Sequence, residues 1–547
     1  MTVIPLFRGR RLLLLLATAI LWFGALGYRD LIDPDEGRYA EIPREMVATG
    51  DWVTPRLNGF KYFEKPALQY WATATAYELF GRSPATARLW TALLGFLCAL
   101  LVWYVGWRLF GLAAADYALF VTLGGLLYAV MGHVLTLDMG VTAFIFAGLA
   151  ALLLAQSERD RPRRLRNRML AGWAALGLAV LSKGLIGLVL PAGAVLLYSL
   201  WQRDWTLWRR LHLGKGLLVA LAIAAPWFLL VSARNPEFAH FFFIHEHFER
   251  YTTRVHHRDA PFYYFTLIFV AGALPWIAST LGALLRPEFS WRAGDGRFHA
   301  ERFLWVFVLF VVGFFSLSDS KLPAYILPAM PAAALLAGKG LATHPHRLVF
   351  DGRLGLLLAA ALAVAASLLP RLGSGPIPPE LFEGYRWWLL AAALLLAGGS
   401  ALLLRERLPP ARRATLAALL FLMAWRSCTL GFQELSPSRS ARQMADAIRA
   451  QGLDAAPVFA VDTYPQSLPF YLNKTLRLAL FTGELEMGIR AEPQRWIATQ
   501  KEFFALWRAQ PQAVAVLAPE NYQAYRRQGL PMRILYRGPR FLAVSRR

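Results

Sequence analysis

Long apolar runs recur through the first four-fifths of this 547-residue chain, and they constrain its fold more than any other feature. A membrane-spanning α-helix needs about 20 mostly apolar residues. Only 17% of the residues are charged, which is below the share usual in soluble domains. The apolar pattern therefore predicts an α-helical polytopic membrane protein with about thirteen transmembrane helices. The predicted spans lie at approximately 11–29, 84–110, 112–132, 134–156, 168–182, 184–201, 213–233, 263–285, 301–317, 321–342, 354–370, 386–404 and 411–430.

The distribution of positive charge fits the same class. The chain has 58 Lys and Arg against 35 Asp and Glu, a formal net charge of +23. In a soluble protein this balance would suggest nucleic acid as a partner. Here much of the excess lies in short loops between spans, which we interpret by the positive-inside rule as cytoplasmic. We therefore expect membrane lipids and no nucleic acid as partners. The basic loops are 8–11, 159–168, 209–215 and 405–413.

The N-terminal apolar run and the two cysteines exclude other classes. The run continues to about Leu26, and this length favours an uncleaved first span over a secretory signal peptide. Cys98 and Cys428 both lie in apolar runs, which argues against a disulfide framework and against a zinc-type cysteine cluster. An odd number of spans then predicts that the C-terminus lies on the outer side of the membrane.

Two segments on the predicted outer side stand out by their length. The first loop, about 30–83, contains Glu36–Ala48 and Ala67–Leu79, whose amphipathic spacing predicts short helices in the membrane interface. The tail alternates β-rich runs with helical stretches, which predicts a small soluble α/β domain. We predict a boundary between a membrane domain, 1–436, and this tail domain, 437–547. The predicted tail elements are strands Pro457–Val461, Ala513–Leu517, Met532–Tyr536 and Phe541–Val544, and helices Arg439–Gln451 and Gln500–Arg508.

Three acids in four positions follow the first span: Asp33, Asp35 and Glu36. Acids favour the start of a helix, so Asp33 and Glu36 are equally well explained as a solvated helix start. For Asp35 the functional interpretation gains from other polar residues expected nearby. Placing polar groups at or near membrane depth costs free energy, so such residues usually have a functional role.

The segment Tyr62-Phe63-Glu64-Lys65-Pro66 sets a charged pair among aromatic residues in the first loop. Lys65 could hold a phosphate, and Glu64 could hold a metal or orient a sugar. The alternative is an ordinary aromatic belt with a snorkelling lysine.

Asp138, Lys183 and Lys321 occupy short breaks that alternation of the spans places on the same outer side as Asp35. This agreement predicts one external site bordered by two carboxylates and several cations.

A further outer loop, 234–261, carries His245 and Glu249 one helical turn apart. With Glu64 they could share a divalent metal, zinc or another, although solvated polar residues are the commoner explanation of this spacing. Arg250, Arg254 and Arg258 recur every four residues and form a basic face suited to phosphate.

The joined motifs of the first loop resemble the 4-amino-4-deoxy-L-arabinose lipid A transferases. The resemblance covers residues 10–340 well and is thin over the last spans and the tail. The first-loop motifs are Asp35-Glu36, Arg38-Tyr39-Ala40-Glu41-Ile42-Pro43-Arg44-Glu45-Met46, Gly50-Asp51-Trp52 and Tyr62-Phe63-Glu64-Lys65-Pro66. The shorter supporting motifs are Lys183-Gly184, Asn235-Pro236-Glu237-Phe238, Ala260-Pro261-Phe262-Tyr263-Tyr264, Leu274-Pro275-Trp276 and Lys321-Leu322-Pro323.

This resemblance implies a type C glycosyltransferase (GT-C) fold with a catalytic acid in the first periplasmic loop. It implies undecaprenyl-phosphate aminoarabinose as donor, a lipid A phosphate as acceptor, and an inner-membrane enzyme that counters cationic peptides such as polymyxin. The acceptor phosphate is largely ionised near neutral pH, so a strong general base is unnecessary. The expected catalytic residues are Asp35 and Asp138, and the residues expected to bind the donor phosphate are Lys65, Arg250 and Tyr325. The residues expected to bind other parts of the substrates are Tyr39, Tyr62, Glu64, Lys183 and Lys321. Glu64 and His245 are candidate metal ligands.

Three alternatives stay open at this point. A related transferase could use another lipid-linked sugar, or a protein or glycan acceptor, on the same scaffold. A lipid-linked sugar flippase would place polar residues within spans and show repeat symmetry, which the sequence lacks. A non-enzymatic lipid-binding scaffold would leave Asp35 and Asp138 without a role.

Overall fold

The computed structural model describes residues 9–244, 260–292, 297–373 and 377–546, and most of these residues are helical. The structure confirms the predicted α-helical class. Its helices are α1 (Gly9–Phe23), α2 (Asp35–Thr49), α3 (Leu68–Phe80), α4 (Pro84–Phe110), α5 (Leu112–Gly124), α6 (Leu126–Met131), α7 (Asp138–Gln156), α8 (Pro162–Lys183), α9 (Ile186–Gln202), α10 (Thr206–Arg210), α11 (Leu213–Arg234), α12 (Phe238–His240), α13 (Tyr264–Gly272), α14 (Ile277–Leu285), α15 (Ala300–Ser316), α16 (Ala329–Thr343), α17 (Arg347–Leu368), α18 (Pro379–Leu404), α19 (Pro410–Gly431), α20 (Ser436–Arg439), α21 (Arg442–Ala450), α22 (Leu468–Leu472), α23 (Glu486–Ala491), α24 (Gln500–Ala509) and α25 (Pro519–Arg527).

Six of the described helices are long and apolar enough to cross a membrane by themselves. Shorter apolar helices such as α5 and α9 pack among them, so the number of spans, predicted as thirteen, stays a prediction. The six helices lie within Pro84–Phe110, Asp138–Gln156, Leu213–Arg234, Arg347–Leu372, Pro379–Leu404 and Pro410–Arg439.

Two predicted spans are interrupted in the structure. The segment 263–285 forms two helices, α13 and α14, on either side of Pro275. Proline lacks the N–H that would continue a helical ladder, and its ring clashes with the preceding turn. The segment 112–132 is divided at Gly125, whose backbone is extended. The predicted break after Ser182 is confirmed, because α8 ends at Lys183 and α9 begins at Ile186.

The two helices predicted in the first loop are present as α2 and α3. The structure adds that α2 is covered over most of its surface. Most of this helix is buried, including its charged residues Glu41, Arg44 and Glu45. The amphipathic pattern located the helix but gave no information about what would cover its polar face.

The tail is built around a five-stranded mixed sheet. Four of its strands were predicted, and the short strand Arg477–Ala479 was not. The first loop contributes the two-residue strands β1 (Arg56–Leu57) and β2 (Phe60–Lys61); the tail contributes β3 (Val458–Val461), β4 (Arg477–Ala479), β5 (Val514–Leu517), β6 (Arg533–Arg537) and β7 (Leu542–Ser545). Strand order in the tail sheet is β4-β3-β5-β7-β6, with β3 parallel to both β4 and β5 and with β7 antiparallel to both β5 and β6.

The tail and the first loop share one hydrophobic core. Tyr39 and Tyr70 from the loop belong to the same buried cluster as Leu468 and Val516 from the tail. Backbone-directed hydrogen bonds reinforce this contact: Asn58 Nδ2 donates to Leu476 O at 3.0 Å, and Leu476 N donates to Asn58 Oδ1 at 2.6 Å. The tail therefore supports the loop that carries Asp35.

Gly37 is a point of close approach between the loop and the tail. A Cβ added at this position would lie 2.5 Å from Ser467 N and 2.7 Å from Gln466 C, both backbone atoms. Gly37→Ala should therefore push the tail away from α2 and destabilise the protein by roughly 1–3 kcal/mol. Limited proteolysis of the tail, together with thermal unfolding in detergent, measures this effect.

Gly313→Ala is the matched control for this prediction. A Cβ at Gly313 meets nothing within 4 Å, and the residue lies in the last turn of α15. Alanine is the better helix former there, so this variant should be as stable as the wild type or slightly more so. Equal proteolysis of the two variants would contradict a close loop–tail contact at Gly37.

Candidate active site

Asp35 is the first residue of α2, and its side chain is about half exposed, at 54%. It forms an ion pair with Arg38, one turn later. Arg38 Nη1 also donates to Tyr62 Oη at 3.0 Å, and the guanidinium carbon lies 5.2 and 5.9 Å from the ring centres of Tyr39 and Tyr62. One cation therefore gathers three predicted site residues. Arg38 was not among the predicted site residues, although its i,i+3 spacing from Asp35 is typical of a helical ion pair.

Asp138 and Lys183 form the second charged pair of the site. Asp138 begins α7 and Lys183 ends α8, so the two antiparallel helices bring them to the same end of the helical body. Their side chains form an ion pair and are only 14% and 16% exposed, respectively. Lys183 Nζ also lies 4.9 Å from the ring centre of Tyr325, a cation–π contact. The structure therefore brings together three of the predicted site residues, Asp138, Lys183 and Tyr325.

Tyr39 links the two charged pairs. Burial raises the pKa of its phenol, and the carboxylates of Asp35, Glu64 and Asp138 raise it further, against the opposing effect of Arg38. Through-space effects of this kind require the groups to be close together. The acids carried by α2, by the first loop and by α7 therefore face a common region.

Glu64 and Lys65 lie at the edge of this region. Lys65 Nζ donates to the backbone oxygen of Glu64 at 2.7 Å. The Glu64 carboxylate influences Arg38, Tyr39 and Tyr62 electrostatically, which places it on the site side of the loop. Lys321, by contrast, is bonded to the backbone oxygen of Ser318 at 2.5 Å within its own turn.

Part of the predicted site lies outside the described residues. His245, Glu249, Arg250, Arg254 and Arg258 fall in 245–259, so their roles stay predictions. Within the described ranges, no group of three or more His, Cys, Asp or Glu side chains is arranged to hold a metal ion. The metal site suggested for Glu64 and His245 therefore also stays a prediction.

Asp33 and Glu36 are not the solvated helix-start residues that the sequence allowed. Asp33 packs against the tail, where its Oδ1 accepts a hydrogen bond from Ser467 N at 2.6 Å. Burial raises the pKa of Asp33 to about 7. Glu36 is buried, with only 1% of its surface exposed. The solvated interpretation is wrong for both residues because the tail and the neighbouring spans cover them.

Glu36 is the centre of a buried network that holds the site loops together. Its carboxylate accepts two bonds from Arg29, at 2.7 and 2.9 Å, and two from Arg88, at 2.9 and 2.8 Å. It also accepts from the backbone N–H of Ile32 and of Leu135 at 3.1 and 3.0 Å. The two guanidiniums hold the pKa of Glu36 well below its ordinary value, although burial alone would raise it. This network connects the segment before Asp35 to the segment before Asp138.

A second buried acid in α2 has the opposite electrostatic character. Glu45 Oε2 accepts a hydrogen bond from Gly59 N at 2.8 Å. The adjacent Arg44 donates its two hydrogen bonds, of 2.7 and 2.6 Å, to the Glu41 carboxylate instead. Burial, and next the neighbouring Glu41 carboxylate, raise the pKa of Glu45 to about 8. Glu45 is therefore protonated through most of the neutral range.

This raised pKa gives a pH-dependent prediction. The folded state binds the Glu45 proton more tightly than the unfolded state, so the free energy of unfolding should fall as pH rises from about 4.5 to about 8. Glu45→Gln copies the protonated form and should stabilise the protein by on the order of 3 kcal/mol at pH 8, but by less than about 1 kcal/mol at pH 5. Thermal unfolding at both pH values measures the difference. The exposed Glu78→Gln is the control, and a Glu45→Gln effect independent of pH would contradict the assignment.

Comparison with known families agrees with this architecture. The family profile "Aminoarabinose transferase C-terminal domain" matches residues 444–546, and the profile "Dolichyl-phosphate-mannose-protein mannosyltransferase" matches residues 10–242. A relative from Sodalis glossinidius, undecaprenyl phosphate-alpha-4-amino-4-deoxy-L-arabinose arabinosyl transferase 1, is 37% identical over 358 residues. That alignment covers 64% of this chain and 62% of the relative, so this chain spans about three fifths of the relative's length.

Two further matches cover more of the molecule. The corresponding transferase of Serratia proteamaculans is 32% identical over 396 residues, which are 69% of this chain and 67% of that protein. The crystal structure of ArnT from Cupriavidus metallidurans bound to undecaprenyl phosphate aligns with a TM-score of 0.91 and 36% identity over 98% of both chains. Since the helical body, the first loop and the tail all match, the chain belongs to the aminoarabinose transferase family of GT-C membrane glycosyltransferases.

Proposed function

We propose that this chain transfers 4-amino-4-deoxy-L-arabinose from undecaprenyl phosphate to a phosphate group of lipid A. The observation that carries the proposal is the convergence of two carboxylate–cation pairs, Asp35–Arg38 and Asp138–Lys183, around Tyr39. The similarity to a relative bound to undecaprenyl phosphate, over 98% of both chains, supports the same carrier lipid here.

The site would face the periplasm of the inner membrane. The Asp138–Lys183 pair lies at one end of α7 and α8, while the basic loop 159–168 joins their other ends. Short basic loops favour the cytoplasmic side. This arrangement supports a periplasmic site in a multi-pass inner-membrane protein.

Transfer needs stabilisation of the departing carrier phosphate. Positive charge develops at the anomeric carbon, and negative charge grows on the leaving phosphate. In this proposal Lys65, Lys183 and Arg250 hold that phosphate through charge-assisted hydrogen bonds. Tyr325 lies against the Lys183 ammonium and would fix the direction of that cation, in addition to donating its own hydrogen bond.

Asp35 and Asp138 would then have different tasks. Asp35 is the more exposed acid and can reach a substrate, so it would orient the acceptor, remove a residual proton or pair with the donor's amino group. Asp138 is mostly buried in its ion pair and would mainly position Lys183. A single displacement with inversion is the simplest scheme consistent with an acceptor that is already ionised.

The remaining predicted residues would bind substrate around this centre. Tyr39, Tyr62 and Glu64 border the common region, and Lys321, whose ammonium bonds to Ser318 O in its own turn, would also contact substrate. Glu64 and His245 stay candidates for a divalent metal, zinc or another, which would neutralise phosphate charge. The proposed domain division is 1–436 for the membrane transferase and 437–547 for the periplasmic tail, whose role would be to brace the first loop.

Mass spectrometry of lipid A tests the proposal. Cells lacking the protein are challenged with polymyxin and complemented with wild type or with Asp35→Asn. Aminoarabinose on lipid A should return only with the wild type. If the aminoarabinose modification of lipid A does not depend on the protein, then this donor–acceptor pair is wrong. Other lipid-linked sugars and acceptors should then be tested with the same protein.

A further inference from the structure

A basic cavity of about 480 Å³ lies between the start of α8 and the segment that joins α10 to α11. The loop before α8 and this segment are separated by more than 40 residues in the sequence, so the cavity is a product of the fold. Its cationic lining consists of Arg159, Arg163, Arg166, Arg209, Arg210 and Lys215, and none of its lining residues is acidic in the described part of the chain.

Most of this positive charge is not neutralised by neighbouring carboxylates. Asp204 pairs with Arg210 at 2.7 Å, and Glu158 pairs with Arg108 and Arg168, which lie outside the lining. Within the described ranges no ion pair is formed by Arg163, Arg166, Arg209 or Lys215. Several cations that converge on one cavity repel each other, and an anion bound between them would relieve that repulsion.

Two helix starts add to the same field. Both α8 and α11 have 22 residues and begin at the cavity, and neither is capped by a side-chain hydrogen bond. The first N–H groups of a helix carry partial positive charge and are a common phosphate-binding element. The cationic lining and the helix starts therefore favour the same type of ligand, a phosphate group.

The cavity lies on the opposite side of the molecule from the candidate active site. α7 and α8 run from the Asp138–Lys183 pair to the cavity, and at 1.5 Å per residue helices of 19 and 22 residues span about 30 Å. This length matches the hydrocarbon thickness of a bilayer. The phosphate site would thus be at the other membrane surface, too far away to hold the reacting phosphates.

The surroundings of the cavity favour a lipid over a soluble phosphate. Just after Lys215, α11 presents exposed apolar side chains: Leu217, Leu218 and Leu221. They lie on the membrane side of the cationic lining, where an acyl chain could extend from a headgroup held in the cavity.

We propose that this cavity binds the phosphate headgroup of an anionic membrane lipid on the surface opposite the active site. The proposal is independent of the transferase activity.

The experiment compares lipid binding by the full-length wild type and by a triple variant, Arg163→Ala/Arg166→Ala/Arg209→Ala. The purified proteins are reconstituted in nanodiscs of phosphatidylcholine with increasing phosphatidylglycerol, and bound phosphatidylglycerol is counted by native mass spectrometry. Each basic residue near a lipid phosphate contributes about fivefold in affinity, so the triple variant should bind on the order of 100-fold more weakly.

The control removes the same charge elsewhere, in Arg405→Ala/Arg407→Ala/Arg412→Ala. These exposed residues belong to another basic loop and do not line the cavity. Wild-type lipid binding by this control, with loss only in the cavity variant, supports the proposal. Equal losses of lipid binding in both variants would mean that diffuse surface charge attracts the lipid, and this result would overturn the proposal. Displacement of the lipid by an equal concentration of glycerol phosphate overturns the assignment to a lipid. Unfolding temperatures without phosphatidylglycerol verify that both variants are folded.

Discussion

Replacing Asp35 by Asn is expected to reduce aminoarabinose transfer by at least about 100-fold, the range found when a positioned acid–base group is lost. Asn has nearly the same shape but cannot carry the charge that pairs with Arg38 and faces Tyr39. The side chain is about half exposed, so the variant should fold normally. The measurement is transfer by purified protein from synthetic polyprenyl-phosphate aminoarabinose, normalised to folded protein.

Asp454→Asn is the matched control for this experiment. Asp454 is an exposed acid of the tail, and among the described residues its one hydrogen bond is from Lys474 to its backbone oxygen. This change should leave transfer unaltered. Wild-type turnover by Asp35→Asn would remove Asp35 from the catalytic assignment and leave Asp138 as the remaining predicted acid.

Glu36→Gln should be the most destabilising single change of a charged side chain in the first loop. The amide nitrogen of Gln can only donate. Each carboxylate oxygen of Glu36 accepts from both buried guanidiniums, so Arg29 and Arg88 each lose one of their two bonds to this side chain, whichever oxygen the nitrogen replaces. Breaking a buried ion pair in this way costs about 3–5 kcal/mol. The segments before Asp35 and Asp138 should also lose their fixed relation, because Glu36 accepts from Leu135 N as well. Thermal unfolding and specific transfer activity measure the two effects.

The pH dependence separates Glu36 from its neighbour Glu45. The pKa of Glu36 is lowered in the folded protein, so its stabilisation is present above about pH 4.5 and is lost as pH falls below that value. Glu45 has a raised pKa, and its neutralisation should stabilise the protein at pH 8. The same substitution, Glu to Gln, on one helix is therefore expected to act with opposite signs. Two variants that melt alike at pH 8 would contradict the network described for Glu36.

The regular patterns of the sequence predicted most helices within a few residues. Apolar runs located α4 and α7, and amphipathic spacing located α2 and α3. These predictions succeeded because helix formation and burial in a membrane depend on residues close together in the chain. Predictions failed where a distant segment intervened. A solvated helix start was one explanation offered for Asp33, yet this residue packs against Ser467 of the tail.

The sequence also predicted that Asp35, Asp138 and Lys183 lie on one side of the membrane, because alternation of spans requires no knowledge of packing. It could not identify their partners. Lys183 pairs with an acid 45 residues away, Glu36 binds Arg88 across 52 residues, and Asp33 meets Ser467 across 434. Nothing local distinguishes a solvated acid from one that a distant strand or span will cover.

By itself, then, the sequence determined the membrane class, the local helices and the chemical types of residue available at the outer surface, since each follows from composition and short-range periodicity. Only the tertiary structure decided the environment of each acid. Asp35 stays about half exposed, Asp138 is mostly buried in its ion pair with Lys183, and Glu36 holds the loops together. The physical reason is that burial and ion pairing are set by the neighbours a side chain acquires on folding, and these neighbours come from distant parts of the chain.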